Sequence, residues 1–242
     1  MLSVYLSPSD LLAISVTFKL ALLTSGLLLL ISTPLAWFLS RWKSPFKPIV
    51  ESLVALPLVL PPTVLGFYLL IMLAPDTLLG QFWYELTGQQ LAFSFSGLVL
   101  ASIIYSLPFV LQPLQLAFER VDQKSLECAQ ILGASPWRRF TSIVIPSTRN
   151  SFVLAAILGF AHTVGEFGVV LMIGGNIPGE TQVLSLVLFD HVESMDYEGA
   201  HRLAACLVAF SMVMLILVYS LNRKTLRLSR FSFQSNVSEG IK

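Results

Sequence analysis

Five long apolar runs, separated by short polar clusters, set the pattern of this chain: about residues 11–40, 50–74, 95–116, 151–173 and 203–221. A helix crosses about 30 Å of hydrocarbon in about 20 residues, so each run is long enough to span a bilayer. Inside lipid every backbone amide and carbonyl must be bonded within the protein, which makes the runs helices rather than open strands. The pattern therefore predicts an all-α integral membrane protein with five transmembrane helices, six as the upper bound. A single membrane domain covers about 1–225 and a polar tail 226–242. The first run is longer than a span requires, and Lys19 marks its outer edge, where a lysine reaches the headgroups.

Composition agrees. The chain of 242 residues is 55% hydrophobic and only 12% charged, about half the charged fraction of a soluble domain. Thirteen of the fifteen Lys and Arg residues fall after the first run (Arg41, Lys43, Lys47), between the third and fourth (Arg120, Lys124, Arg138, Arg139, Arg149) and after the fifth (Arg223, Lys224, Arg227, Arg230, Lys242). Positive charge marks the cytoplasmic side, so the N-terminus is expected outside and the C-terminus in the cytoplasm. The last outer loop is acidic, with Glu180, Asp190, Glu193, Asp196 and Glu198. The basic clusters border spans, and orientation explains them better than nucleic-acid binding does. Two cysteines, Cys128 and Cys206, give no disulfide framework.

Helix breakers cluster in the second run, where "LPLVLPP" places Pro57, Pro61 and Pro62. Each proline removes an intrahelical hydrogen bond and its ring crowds the preceding turn. Pro34, Pro108 and Pro113 are expected to bend the first and third spans in the same way. The reading is either irregular packing or bent helices bordering a pathway, with Pro61, Pro62, Leu65 and Gly66 as the candidates. In the fourth run, "LGFAHTVGEFGVVLMIGG", Glu166 is the one acid well inside a span. A charge there costs roughly 2.5–3.5 kcal/mol on insertion scales, so it marks a candidate site. His162 lies four residues earlier, on the same face if the helix continues. Gly165, Phe167 and Gly168 complete this candidate gate, the glycines allowing close helix approach. One His and one Glu do not make a metal site. Repulsion argues against Glu166 as a ligand for an anion; a hydrogen-bonding role within the span fits it better.

Between the third and fourth runs, "ECAQILGASPWRRFTSIVIP" (127–146) is a compact charged stretch in an otherwise oily chain. Asp122 or Ser125 can start a short helix through Leu132, and Gly133 can end it in the left-handed conformation. Ser135 is a candidate N-cap with Pro136 at the first helical position; Pro146 is expected to stop this second helix. The result is a helix–turn–helix over 122–146 on the cytoplasmic face, readable as an interfacial amphipathic helix or as a protein-docking segment.

Glu127-Cys128-Ala129, then Gly133, then Ile143, Ile145 and Pro146 match the E-A-A-x3-G-x9-I-x-L-P motif of ABC importer permeases, with Cys128 for the first Ala and Ile145 for the Leu. "LPLVLPPTVLGFYLL" and "GEFGVVLMIGGNIPGETQ" resemble the molybdate-transport permeases, which often carry Arg where this chain has His162. The likeness covers most of 10–225. It implies the type I ABC importer permease fold, a bacterial inner-membrane location, a homodimer, two cytoplasmic ATPase subunits that bind ATP and magnesium, and an external oxyanion-binding protein. This chain would hold no cofactor and no catalytic residue. The resemblance makes 127–146 the ATPase-coupling segment, with Glu127, Cys128, Ala129, Leu132, Gly133, Trp137, Arg138, Arg139, Ile143 and Pro146 as its candidate residues. Consistent with this, the sequence contains no G-x-x-x-x-G-K-[ST] phosphate loop. The competing reading is a stand-alone secondary transporter or channel using His162 and Glu166 as a proton pair; matching broken helices in two halves would support it, and none is visible. An intramembrane enzyme lacks candidate catalytic pairs.

Overall fold

A computed structural model describes residues 7–239, with side chains placed up to Ser220. The described residues form helices and no strand. Helix α1 (Pro8–Arg41) opens on a capping box in which Ser7 and Asp10 satisfy each other's backbone N–H groups. It is followed by α2 (Lys47–Ala55), α3 (Pro62–Met72), α4 (Leu78–Thr87), α5 (Phe95–Glu119), α6 (Gln123–Ile131), α7 (Pro136–Arg139), α8 (Ile145–Val164), α9 (Gly168–Gly174), α10 (Leu184–Glu193) and α11 (Tyr197–Glu239).

Helices α1, α5 and α8 pack side by side as the centre of the bundle. One apolar cluster joins Leu28 and Leu39 of α1, Val110, Leu114 and Phe118 of α5, and Val144 and Ala155 of the α8 region, all buried. A second joins Leu20, Leu98, Leu69, Val169, Ile173 and Leu186 and ties α3, α9 and α10 to the same core. Gly159 lets α8 approach α5: a Cβ there would stand 2.6 Å from Val110 Cγ2. Large apolar side chains such as Leu22, Leu30 and Ile216 stay exposed, which suits a surface facing lipid.

Four of the described helices are long and apolar enough to cross a membrane, five if the run 50–74 counts as one span; that run is not a single helix but a sharply bent pair, a broken span or a re-entrant loop. Lys47–Leu58 and Pro62–Met72 meet at 106°. The cause is local: the residue before a proline is driven out of the helical region, and Pro61, preceding Pro62, has φ −55° and ψ 132°. Pro34, Pro108 and Pro113, by contrast, sit inside helices that remain unbroken. The fourth run differs from expectation at both ends. Helix α8 ends at Val164, not near 173, and Gly165, Glu166 and Phe167 separate it from the short α9. At its start Pro146 does not stop a helix; it lies in the first turn of α8. A π turn over Phe140–Val144 carries α7 into α8, and the wider turn repositions the carbonyls that a proline ring would otherwise strike. The helical path therefore runs from Pro136 to Val164. The fifth run lies within the candidate span Tyr197–Ser220, and α11 stays helical past it through Glu239. The short helices α4 and α10 lie in stretches read as loops; Thr77, the N-cap of α4, accepts from Gly80 N–H. Lys19 lies over the ring of Phe95, the first residue of α5, 4.6 Å from its centre.

Candidate functional site

The break after Val164 places Glu166 in a non-helical connection, so the assumed i,i+4 helix geometry with His162 does not apply. Its carboxylate instead faces α5. Ser102 Oγ donates to Oε2 at 2.5 Å and Ser106 Oγ to Oε1 at 2.6 Å. Ser102 and Ser106 are four residues apart on α5 and so share a face. Ser106 Oγ also meets His162 Nδ1 at 2.8 Å and Thr163 Oγ1 at 3.1 Å. His162 Nδ1 stands 3.7 Å from Glu166 Oε1, too long for a hydrogen bond, so Ser106 mediates the pair. A hydroxyl has one proton and an ionised carboxylate only accepts. With the Ser106 proton given to Glu166 Oε1, the Ser106 oxygen is left as the acceptor for whichever of His162 Nδ1 and Thr163 Oγ1 carries a proton toward it. On the other side, Ser185 Oγ of α10 donates to the Glu166 carbonyl at 2.5 Å. Glu166 is 3% exposed and joins α5, the α8–α9 break and α10 through these bonds.

Two glycines allow the break to be packed. A Cβ on Gly168 would meet Pro62 Cβ at 2.9 Å, and one on Gly66 would meet Met172 Cβ at 2.8 Å and Val169 Cα at 3.2 Å. Each helix thus offers a glycine to the other where α3 crosses α9. A cavity of about 490 Å³ opens beside this crossing, lined by Pro62, Thr63, Tyr105, His162, Glu166 and Phe167, with Gly165 and Gly168. The pathway candidates Pro62, His162, Gly165, Glu166, Phe167 and Gly168 are brought together. Pro61 is exposed, whereas Leu65 and Gly66 pack toward the core and do not line the cavity. Ser102, Ser106, Tyr105 and Thr63 were missed. A serine in an apolar run is too common to signal a site; the i,i+4 spacing of Ser102 and Ser106 was the only clue.

The segment 122–146 forms the expected pair of short helices. Asp122 caps α6 by accepting from Lys124 N–H and Ser125 N–H. Its hydrogen bonds, first from the Ser125 hydroxyl and then from the two amides, hold its carboxyl below the usual range. Gly133 has φ +80°, and Ser135 accepts from Arg138 N–H at the start of α7. Leu126, Val144 and the half-buried Ile143 and Phe140 fasten the segment to the bundle, with Phe140 packing on Trp37 and Phe118. Outward it presents Ile131 (84% exposed), Leu132 (86%) and Trp137 (73%). Glu127, Cys128 and Arg138 are exposed as well, while Ala129 is half-buried and Arg139 is tied to Gln130 at 2.8 Å. Pro146 is exposed at the foot of α8. Ile131 was not singled out, though its exposure matches that of Leu132. Among the described residues no group of three or more His, Cys, Asp or Glu could hold a metal ion.

A bundle of membrane-length helices with a sharply bent second run, a buried carboxylate beside a cavity and an apolar knob on one end describes a membrane transport subunit. The family described as "Binding-protein-dependent transport system inner membrane component" matches residues 32–227, and the chain belongs to it. The molybdenum transport system permease protein ModB of Azotobacter vinelandii is 55% identical over 218 residues, covering 90% of this chain and 96% of that protein. ModB of Escherichia coli (strain K12) is 36% identical over 203 residues, covering 82% and 89%. Among solved structures, a bacterial alginate ABC transporter in complex with an alginate pentasaccharide-bound periplasmic protein aligns with TM-score 0.69 at 18% identity, covering 93% of this chain and 82% of that one. At that identity the likeness speaks for the fold.

Proposed function

We propose that this chain is the membrane permease of an ATP-driven molybdate importer. It works as a homodimer in the bacterial inner membrane, with its N-terminus outside and its C-terminus in the cytoplasm. Two cytoplasmic ATPase subunits bind ATP and magnesium and dock on 122–146. An external binding protein delivers the oxyanion. The observation that carries the substrate is the 55% identity to a molybdenum permease along 90% of the chain.

The geometry supports the coupling role. Ile131, Leu132 and Trp137 form an apolar knob left exposed among the described residues, flanked by Glu127 and Arg138 for polar contacts. A small knob buries little area, so specificity rests on shape and charge. The unbroken helical path from Pro136 to Val164 ends one residue short of Gly165. A push at the knob is thereby carried along a stiff rod to the Glu166 break. ATP-driven closure of the ATPase pair would move the two knobs together and switch the spans between access states.

Reconstitution in vesicles with the partner ATPase and binding protein tests this. ATP-driven uptake of molybdate is expected, with tungstate and sulfate as competitors that rank the oxyanions. Uptake driven by an ion gradient with no ATPase present, or ATP hydrolysis by this chain alone, would overturn the reading.

A further inference from the structure

We propose that Phe109 and His162 together form the barrier that closes the translocation pathway. This rests on the pathway reading above and assigns its gate. A second cavity, of about 580 Å³, lies toward the coupling end of the same α5–α8 face, lined by Phe109, Gln112, Leu116, Arg120, Leu154 and Leu158 among others. Tyr105 and His162 line the first cavity. On α5 the lining thus steps through 105, 109, 112 and 116, and on α8 through 162, 158, 154 and 151. Steps of three and four residues keep each series on one helix face. Both cavities therefore lie along one stripe.

The stripe is interrupted where Phe109 stacks on His162, with ring centres 3.8 Å apart and planes 27° from parallel. Phe109 faces the lower cavity and His162 the upper one. A phenyl ring offers a hydrated oxyanion no hydrogen bond, so the constriction acts as a hydrophobic gate. The orientation of His162 is imposed. Its Nδ1 is held by Ser106, whose own proton is held by Glu166. Swinging the imidazole off Phe109 means breaking that bond. Glu166, Ser106 and His162 are thus positioning residues for Phe109, which gives a buried carboxylate a purpose that does not involve touching an anion.

Loss of a stacked pair weakens closure by roughly two- to tenfold. The full complex is reconstituted with molybdate trapped inside the vesicles, and efflux without ATP is followed. Phe109→Ala is expected to raise this efflux by that factor, and Phe109→Leu, which keeps an apolar plug, to leave it low. Ser106→Ala frees the imidazole and is expected to raise efflux with Phe109 intact, an effect that mere packing at 106 would not produce. A second readout needs no oxyanion. With Cys206 replaced by serine and Cys128 of the coupling segment left in place as a control for leakage of reagent to the far side, Gln112→Cys is probed with an impermeant thiol reagent from the outer side. It should be labelled in the Phe109→Ala background and protected otherwise. If Phe109→Ala does not assemble, Phe109→Val and Ser106→Ala carry both readouts. Unchanged efflux and unchanged labelling in assembled variants would overturn the gate. Absence of ATP-driven molybdate uptake by the unmodified complex would instead strike the functional reading, and the labelling result would still decide the gate.

Discussion

Replacing Glu166 separates the two costs that meet at the α8–α9 break. The carboxylate accepts from Ser102 and Ser106 at a site only 3% exposed. A hydrogen bond to a charged group contributes about 1.5–3 kcal/mol and a neutral one about 0.5–1.5 kcal/mol. Glu166→Gln therefore gives up about 1 kcal/mol or slightly more for each of two bonds. For an ionised Glu166 it also removes a buried charge whose insertion costs about 2.5–3.5 kcal/mol. The terms nearly cancel, provided the amide oxygen stays with Ser106 and the Ser102 hydroxyl turns back to the carbonyl four residues earlier. Glu166→Ala loses both bonds outright, about 3–6 kcal/mol, against the same saving, and leaves a void; a net loss of about 1–3 kcal/mol follows. The assay is thermal loss of helical signal in detergent, paired with ATP-driven uptake in vesicles. Glu166→Gln should melt with the unmodified protein, insert normally and lose part of its uptake through the weakened hold on Ser106. Glu166→Ala should melt earlier. Equal destabilisation of the two variants would show that the charge itself is paired with something other than the serines. Full uptake by Glu166→Gln would show that the network plays no part in transport.

Two further outcomes follow from the geometry. Gly66→Val and Gly168→Val should each disrupt the α3–α9 crossing, because a Cβ meets Met172 at 2.8 Å or Pro62 at 2.9 Å; overpacking costs about 1–3 kcal/mol, and a melting temperature unchanged in both variants would refute the contact. Gly133→Val meets no neighbour but must hold φ +80°, a strain of about 1–3 kcal/mol. That variant and Trp137→Ala or Ile131→Asp should insert normally, yet lose co-purification of the ATPase; retention of the ATPase and of uptake per ATP in all three would show that 122–146 does not dock it.

Much of this protein is legible in the order of its residues, for a local reason. Membrane spans follow from the length of apolar runs, and helix ends from side chains that bond amides two or three positions away. Asp122, Gly133, Ser135 and Pro136 therefore announce two short helices and the turn between them, and Pro61 before Pro62 announces the sharp bend in the second run. The glutamate in the fourth run announces a site because an acid in lipid is costly wherever the helices lie. The tertiary structure alone decided what surrounds it. The reading that paired Glu166 with His162 assumed a helix that continued; the chain breaks at Gly165, and although the two stay 3.7 Å apart, the acid's hydrogen bonds come from Ser102 and Ser106, more than fifty residues earlier. Pro146, a stop signal by local chemistry, is carried within the helical path by the π turn before it. Phe109 carries no mark in the sequence that sets it apart from other phenylalanines in the chain. Its place on His162 depends on how α5 lies against α8, and that is set by packing among residues distant in the chain, which no periodicity along it records.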